Sequence, residues 1–240
     1  MRTAIISDVH GNLEALHAVL RHVEGEHIDE IVCLGDTVGY GPEPNECCDL
    51  VREVCRTVVL GNHDEWTLRP PDMSSVPSSV WYSVEWTRGV VLDRNKEWFS
   101  GLPLMVHAAE KLFVHAAPLR PSEWAYITDA GSAARYFPLI GSSSCFVGHS
   151  HLPGEFRGPL KNVREDAEEQ SSVGLIVNVG SVGQPRDGNP LACYCILDDS
   201  QSVEFQVRFA RVEYDHALVA KKIIDSGVPE FFATRLASGR

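Results

Sequence analysis

The chain lacks any apolar run approaching the ~18 to 20 residues that a membrane-spanning helix needs, and its hydrophobic content of 44% is that of an ordinary globular protein. A membrane partner is not expected. Basic residues are in short supply, with 21 Lys and Arg against 33 Asp and Glu and a net charge of −12. Long nucleic acid, which is held by releasing counterions from basic surfaces, is therefore an unexpected partner too. No two cysteines are spaced C-x-x-C, and the seven present are odd in number. Cys47 and Cys48 are adjacent in a helical pattern and Cys193 and Cys195 alternate along a strand, so they read as buried reduced thiols of a cytoplasmic protein. The opening MRTAIISDVHGN has one Arg and no small-residue cleavage site, and reads as a first strand. With no internal repeat and no linker, residues 1–240 are expected to form a single domain.

What is present alternates. TAIIS (3–7) is a β-branched run, and residues 12–25 place Leu13, Leu16, Leu20 and Val23 at helical spacing. EIVCLGD (30–36), PNECCDLVREV (44–54) and RTVVLGN (56–62) repeat the sequence strand, helix, strand. This spacing predicts a parallel sheet with right-handed crossovers, hence an α/β fold. A helical insertion is expected over about 65–101, where Trp81, Val84, Val91 and Trp98 read as core. A helix over 129–137, a strand at 144–149 and a strand pair around 153–178 follow. The polar tract PLKNVREDAEEQSS inside that pair reads as a mobile hairpin tip. Two more β-branched strands precede a helical tail over about 214–240.

Five segments place metal-type ligands where an apolar strand ends: SDVHGN (7–12), LGDTVGYGP (34–42), LGNHDEW (60–66), FVHAAP (113–118) and FVGHSHLP (146–153). Ligands bind at the carboxyl ends of strands in open parallel sheets, so these segments are expected to converge. Asp8 and His10 are two apart, as are His149 and His151, and on an extended chain such residues project to one side. Carboxylate, imidazole and one amide oxygen without thiolate suit Mn²⁺, Fe, Zn²⁺ or Ni²⁺. The Asp36 carboxylate has enough lone pairs to bridge two cations at the ~3.5 to 4 Å separation used in two-metal hydrolysis.

VHAA occurs twice, in LMVHAAEKLFVHAAP (104–118). If the two copies are antiparallel strands joined at Ala108 to Glu110, His107 lies beside the turn and His115 at the far end, roughly 13 to 16 Å away at about 3.3 Å per residue. Only His115 leaves its strand into a loop. It is the expected ligand, and His107 reads as structural.

Taken in order, D-x-H, GD, GNHD, H and GH-x-H resemble the calcineurin-like metallophosphoesterase superfamily over Asp8 to His151. GYGPEP, WTR (86–88), NVGSVGQPRDG (178–188) and the tail GVPEFFATRLASGR look like its bacterial and archaeal YfcE-type phosphodiesterase branch. The resemblance implies a four-layer αββα sandwich of two mixed sheets flanked by helices. It also implies two divalent metal ions, with Mn favoured for activity. One would be held by Asp8, His10, Asp36 and His151, the other by Asp36, Asn62, His115 and His149. His63 would be the acid near the leaving group, with Asp64 orienting it. The reaction expected is in-line attack on phosphorus by a metal-bridging hydroxide, on a phosphodiester or phosphomonoester of a small phosphorylated substrate. A dinucleoside polyphosphate hydrolase and a non-catalytic metal-binding scaffold are the alternatives. Protein Ser/Thr phosphatases of the superfamily carry GD-x-V-D-R-G where this chain has GDTVGYG, which speaks against that activity. Arg186 is read either as a further phosphate contact or as a surface salt bridge. Tyr40 either stacks on a base or packs in its loop. The oligomeric state is left open.

Overall fold

The computed structural model describes residues 1–140, 144–160, 173–199 and 206–240. Strand β1 (Arg2–Ile6) leads into α1 (Leu13–Glu24), β2 (Glu30–Cys33) into α2 (Pro44–Val54), and β3 (Thr57–Val58) into α3 (Asn62–Leu68). Asn12 starts α1 by accepting the Ala15 N–H on its side chain, and Pro44 opens α2 where no N–H is required. Helices α4 (Ser78–Val90) and α5 (Asp93–Ser100) precede the hairpin β4 (Met105–Ala108) and β5 (Lys111–Val114). Then come α6 (Ala130–Ala133), β6 (Ser144–Val147), β7 (Gly154–Pro159), β8 (Val173–Asn178), β9 (Ala192–Asp198), β10 (Gln206–Val212), α7 (His216–Ser226) and α8 (Phe231–Leu236).

The strands form two five-stranded sheets, ordered β10-β9-β1-β2-β3 and β4-β5-β6-β8-β7. Each has a parallel block, β1, β2 and β3 in one and β5, β6 and β8 in the other, with antiparallel strands added on one side of the first and on both sides of the second. Alternation along β1 sorts the layers. Ala4 and Ile6 face α1 and α2 in one core, while Ile5 faces the second sheet in a core shared with Val32, Phe113, Phe146 and Val177. Across the second sheet, Leu112, Val114, Cys145 and Ile176 pack under Ala133, Phe137 and Ile140. This is the α/β sandwich of two mixed sheets between helices, in one domain, that the resemblance implied. Phe113 and Phe146 stack between the sheets with ring centres 5.6 Å apart. Truncating either to Ala would cost about 3–5 kcal/mol through lost burial and the cavity left behind.

Three local readings need correction. The helix expected over 129–137 is regular only over Ala130–Ala133, because Pro138 has no N–H and disfavours the helical conformation at Phe137. The third strand is confined to Thr57–Val58: the Leu60 N–H turns to the Pro103 carbonyl and Asn62 already begins α3. Trp81 is half-buried and belongs to none of the cores, whereas Val84 and Val91 are buried and Trp98 packs on two cores. Residues 161–172, most of the polar tract, lie outside the described residues. All seven cysteines are free, and burial pushes the thiols of Cys33 and Cys193 up to about 12. Among the described residues no helix is long and apolar enough to cross a membrane.

Candidate metal centre

All five ligand-bearing segments leave the carboxyl ends of parallel strands, three from the first sheet and two from the second. The loops after β1 and β2 are laced together by Asp8 N–H to Gly35 O at 3.0 Å, His10 N–H to Asp36 O at 2.9 Å and Gly11 N–H to Thr37 O at 2.9 Å. The His149 N–H donates to Asp8 Oδ2 at 3.0 Å, which ties the second sheet to the first. Two glycines permit this closeness. A Cβ at Gly61 would come within 2.2 Å of Asp36, and one at Gly148 within 2.0 Å of Ser7 and 2.5 Å of Asp8.

Strand alternation is not what aims the paired ligands. β1 ends at Ile6 and β6 at Val147, and Asp8, His10, Asp36, His149 and His151 all have left-handed backbones, with φ between 51° and 65°. That conformation is uncommon and costs of order 1–3 kcal/mol per non-glycine residue. Five such residues among seven candidate ligands is backbone strain concentrated at one site, held by the hydrogen bonds between loops.

The side chains meet in three overlapping groups, one of which sets His63 beside His10 and Asp36. His151 Nε2 lies 3.1 Å from Asp8 Oδ1 and 3.2 Å from His10 Nε2, and His10 Nε2 lies 3.7 Å from both Asp8 Oδ1 and Asp36 Oδ2. His115 Nε2 lies 3.4 Å from Asp36 Oδ2 and 3.1 Å from Asn62 Oδ1. His149 completes a cluster with Asp36 and His115 whose ligand atoms lie within 4.8 Å of one another. Each of the four imidazoles is pinned by a backbone carbonyl: His10 Nδ1 by Val38, His115 Nδ1 by Leu34, His151 Nδ1 by Gln184 and His149 Nε2 by Trp124. This is how metal-ligating histidines are oriented, since one ring N–H is engaged and the other nitrogen presents its lone pair. Asp8 Oδ1 is buried without a hydrogen-bond partner. Converging lone pairs, an orphaned carboxylate oxygen and an N/O donor set together fit divalent cations.

Electrostatics agree. Burial alone would push the Asp8 and Asp36 carboxyls up, but the neighbouring histidines, His151 for Asp8 and His115 for Asp36, hold both well below the usual range. Burial keeps His10 and His151 below their ordinary value and brings His149 down to about 3, so their lone pairs are free at neutral pH. For His115 the burial penalty is outweighed by Asp36 and Asp8, which raise it to about 9. A cation entering here would displace that proton.

His63 and Asp64 are brought to the same place, but not to one another. The His63 N–H donates to Asp36 Oδ1 at 2.7 Å, and its ring Nε2 is hydrogen-bonded at 2.8 Å to the Tyr40 hydroxyl. Asp64 instead accepts the Val38 and Gly61 N–H groups, each at 3.2 Å. Thus the expectation that Asp64 orients the imidazole is not met; Tyr40 holds the ring and Asp64 braces the two loops. Burial lowers His63 to about 4, and burial with the Asp36 charge raises Asp64 to about 8. Tyr40 itself is buried, stacked on Phe232 at 4.4 Å. It packs rather than presenting a free face.

Above the ligands opens a cavity of about 280 Å³, lined in part by Asp36, Asn62, His63, Trp66, His149 and His151. Arg186 and Arg235 also face it. No carboxylate pairs with Arg186 among the described residues, its neighbour Asp187 being engaged by Arg211, so the salt-bridge reading gives way. Sequence reasoning missed Tyr126, stacked on the His149 ring at 4.1 Å, and Arg235 from α8. Neither carries a local pattern, although Arg235 lies in the tail GVPEFFATRLASGR that resembles the YfcE-type branch.

Residues 1–202 match the model of the calcineurin-like phosphoesterase superfamily domain. An uncharacterized protein of Methanocaldococcus jannaschii is 37% identical over 99% of this chain and 98% of its own length. The crystal structure of a metallophosphoesterase from Sphaerobacter thermophilus superimposes with a TM-score of 0.84 at 37% identity, covering 100% of this chain and 99% of that one. A hypothetical protein from Pyrococcus horikoshii shares the fold, with a TM-score of 0.82 at 20% identity over 100% of this chain and 98% of its own. The motif order, the strand-exit geometry and these likenesses agree, and the chain belongs to the calcineurin-like phosphoesterase superfamily.

Proposed function

We propose that this protein hydrolyses phosphate esters of a small molecule with the help of two divalent cations. One is held by Asp8, His10, Asp36 and His151 and the other by Asp36, Asn62, His115 and His149. The observation that carries this reading is the set of four buried imidazoles, each pinned by a backbone carbonyl, around two ionised carboxylates with Asp36 shared by the two proposed ligand sets. When bound, such cations polarise phosphate oxygens and lower the pKa of water toward neutrality, which supplies hydroxide for in-line attack, Mn²⁺ being the favoured ion.

The chain's own residues do the rest. Arg186 faces the cavity and pairs with non-bridging phosphate oxygens. His63 lines the cavity and burial keeps it neutral, so it serves the departing oxygen as a hydrogen-bond donor rather than as a standing imidazolium. Tyr40 fixes its ring, and Asp64 fixes the loops that carry Tyr40 and Asn62. A cavity of about 280 Å³ suits a small substrate better than a folded protein. The free thiols are in keeping with a reducing, cytoplasmic location.

The test is turnover of bis(p-nitrophenyl) phosphate and p-nitrophenyl phosphate with and without Mn²⁺, alongside elemental analysis. Two cations per chain and chelator-sensitive hydrolysis are expected. Bound metal with no turnover of any phosphate ester would favour the scaffold reading.

A further inference from the structure

Two guanidinium groups share the cavity wall, and among the described residues no Asp or Glu side chain is salt-bridged to either. Arg186 leaves the loop after β8 and Arg235 comes from α8, almost fifty positions later, yet both line the same space. Each is half-buried. Among the described residues neither forms an ion pair with an Asp or Glu side chain: Asp187 is engaged by Arg211, the Arg235 Nε donates to a main-chain oxygen of Arg240, and Arg186 Nη2 donates to Gln184 Oε1 at 3.4 Å. Arg186 Nε is buried without a hydrogen-bond partner, and its guanidinium stands 5.7 Å from the Tyr40 ring centre. Arg235 lies 5.0 Å from the centre of the Phe231 ring. Burial and the neighbouring Arg186 charge hold the Arg235 guanidinium below its usual range, which places the two cations within electrostatic reach. Like charges brought together in a partly desolvated wall repel one another, and an acidic chain with 33 carboxylates had ample means to neutralise them.

We propose that Arg186 and Arg235 form a second anion subsite beside the metal centre. On the phosphoesterase reading given above, the natural substrate is then a small organic phosphate with a second phosphoryl group a few bonds from the scissile one. Arg186 sits beside the ligand His151, whose carbonyl meets its backbone N–H at 3.4 Å, and so is assigned the reacting phosphate, while Arg235 takes the second group. Planar guanidinium forks are matched to phosphate oxygens, and a charge-assisted pair is about twice as strong as a neutral hydrogen bond. The exposed rings of Tyr126 and Phe231, 53% and 50% accessible, border the same cavity and offer apolar faces for the organic part.

Calorimetry on the metal-containing protein with methylenediphosphonate and methylphosphonate tests this. Arg235→Gln is expected to weaken diphosphonate binding about 10-fold or more while changing methylphosphonate binding less than about 2-fold, at unchanged metal content. Arg235→Lys, which keeps the charge but not the fork, should fall between wild type and Arg235→Gln, and guards against a variant that fails to fold. Equal losses for both probes, or no loss for either, overturn the second subsite. Because binding is measured without catalysis, the two readings fail separately. Selective diphosphonate binding with no ester turnover keeps the subsite and sinks the esterase, and turnover without selectivity does the reverse.

Discussion

The floor of the cavity and its wall are built by different rules. Floor residues such as Asp8, His115 and His151 are at most 2% exposed, sit on strand exits, and have each imidazole fixed by a main-chain carbonyl. Wall residues such as Trp66, Tyr126, Arg186, Phe231 and Arg235 come from helices and connecting loops and are half-buried or exposed, and they present side chains to the cavity. A main-chain scaffold tolerates little change, because moving one ligand disturbs the loops that strain the others. A side-chain wall can be altered without touching the ligands. On the proposed function, chemistry would belong to the floor and choice of substrate to the wall.

The sharpest way to break that division is at its centre. Asp36→Asn removes the carboxylate that lies 3.7 Å from His10 and 3.4 Å from His115 and so is shared by the two proposed ligand sets, leaving one good acceptor oxygen. We expect both metal occupancies to fall and kcat to drop at least about 100-fold, beyond what loss of a supporting residue costs; elemental analysis and turnover check it. Next, His63→Asn should keep both metals and the fold while lowering kcat by roughly 10² to 10⁴. Its loss should grow with leaving-group basicity, measured on two diesters; equal losses would mean His63 acts on the phosphate instead.

The repeated VHAA sharpens the comparison within one hairpin. Met105 pairs with Val114 and Ala108 with Lys111, so His107 is exposed beside the turn while His115 follows the far end of β5, fully buried. His115→Ala should deplete one metal and remove most activity, whereas His107→Ala should stay within about 2-fold, in line with surface substitutions of about ±0.5 kcal/mol. Tyr40→Phe probes the border between floor and wall. Loss of the hydroxyl bonded to His63 should reduce kcat about 3- to 10-fold with metal content intact, the worth of one hydrogen bond.

The smallest effect is one of pH. The folded pKa of His115, about 9, lies above its ordinary 6.5, so in chelated protein its contribution to stability is full below pH 6.5 and is lost as pH rises to 9. Asp64, raised from 3.8 to about 8, adds a decline of the same sign that is complete by about pH 8. Melting temperatures of the chelated protein should therefore fall from pH 6.5 to 9. Between pH 8 and 9 the slope should disappear in His115→Ala and on adding Mn²⁺, which displaces the proton.

While the two mixed sheets were implied by the family resemblance, the amino-acid sequence by itself determined the alternation of strands and helices and which residues gather at strand exits. Those properties follow from local periodicity and from short spacings such as Asp8 to His10 and His149 to His151, where a few neighbours suffice. Even there the sequence misled on cause, because alternation on an extended strand suggested the convergence that left-handed loop backbones produce. Only the tertiary structure decided which group holds the His63 ring. Asp64 is adjacent in sequence, but the first turn of α3 spends its carboxylate on Gly61 and Val38, and Tyr40 arrives from the preceding loop. That Arg186 and Arg235 line one cavity and that Tyr126 stacks on His149 were likewise tertiary outcomes. Such contacts join side chains from elements far apart along the chain, and no period or motif within a segment records which distant face will cover it.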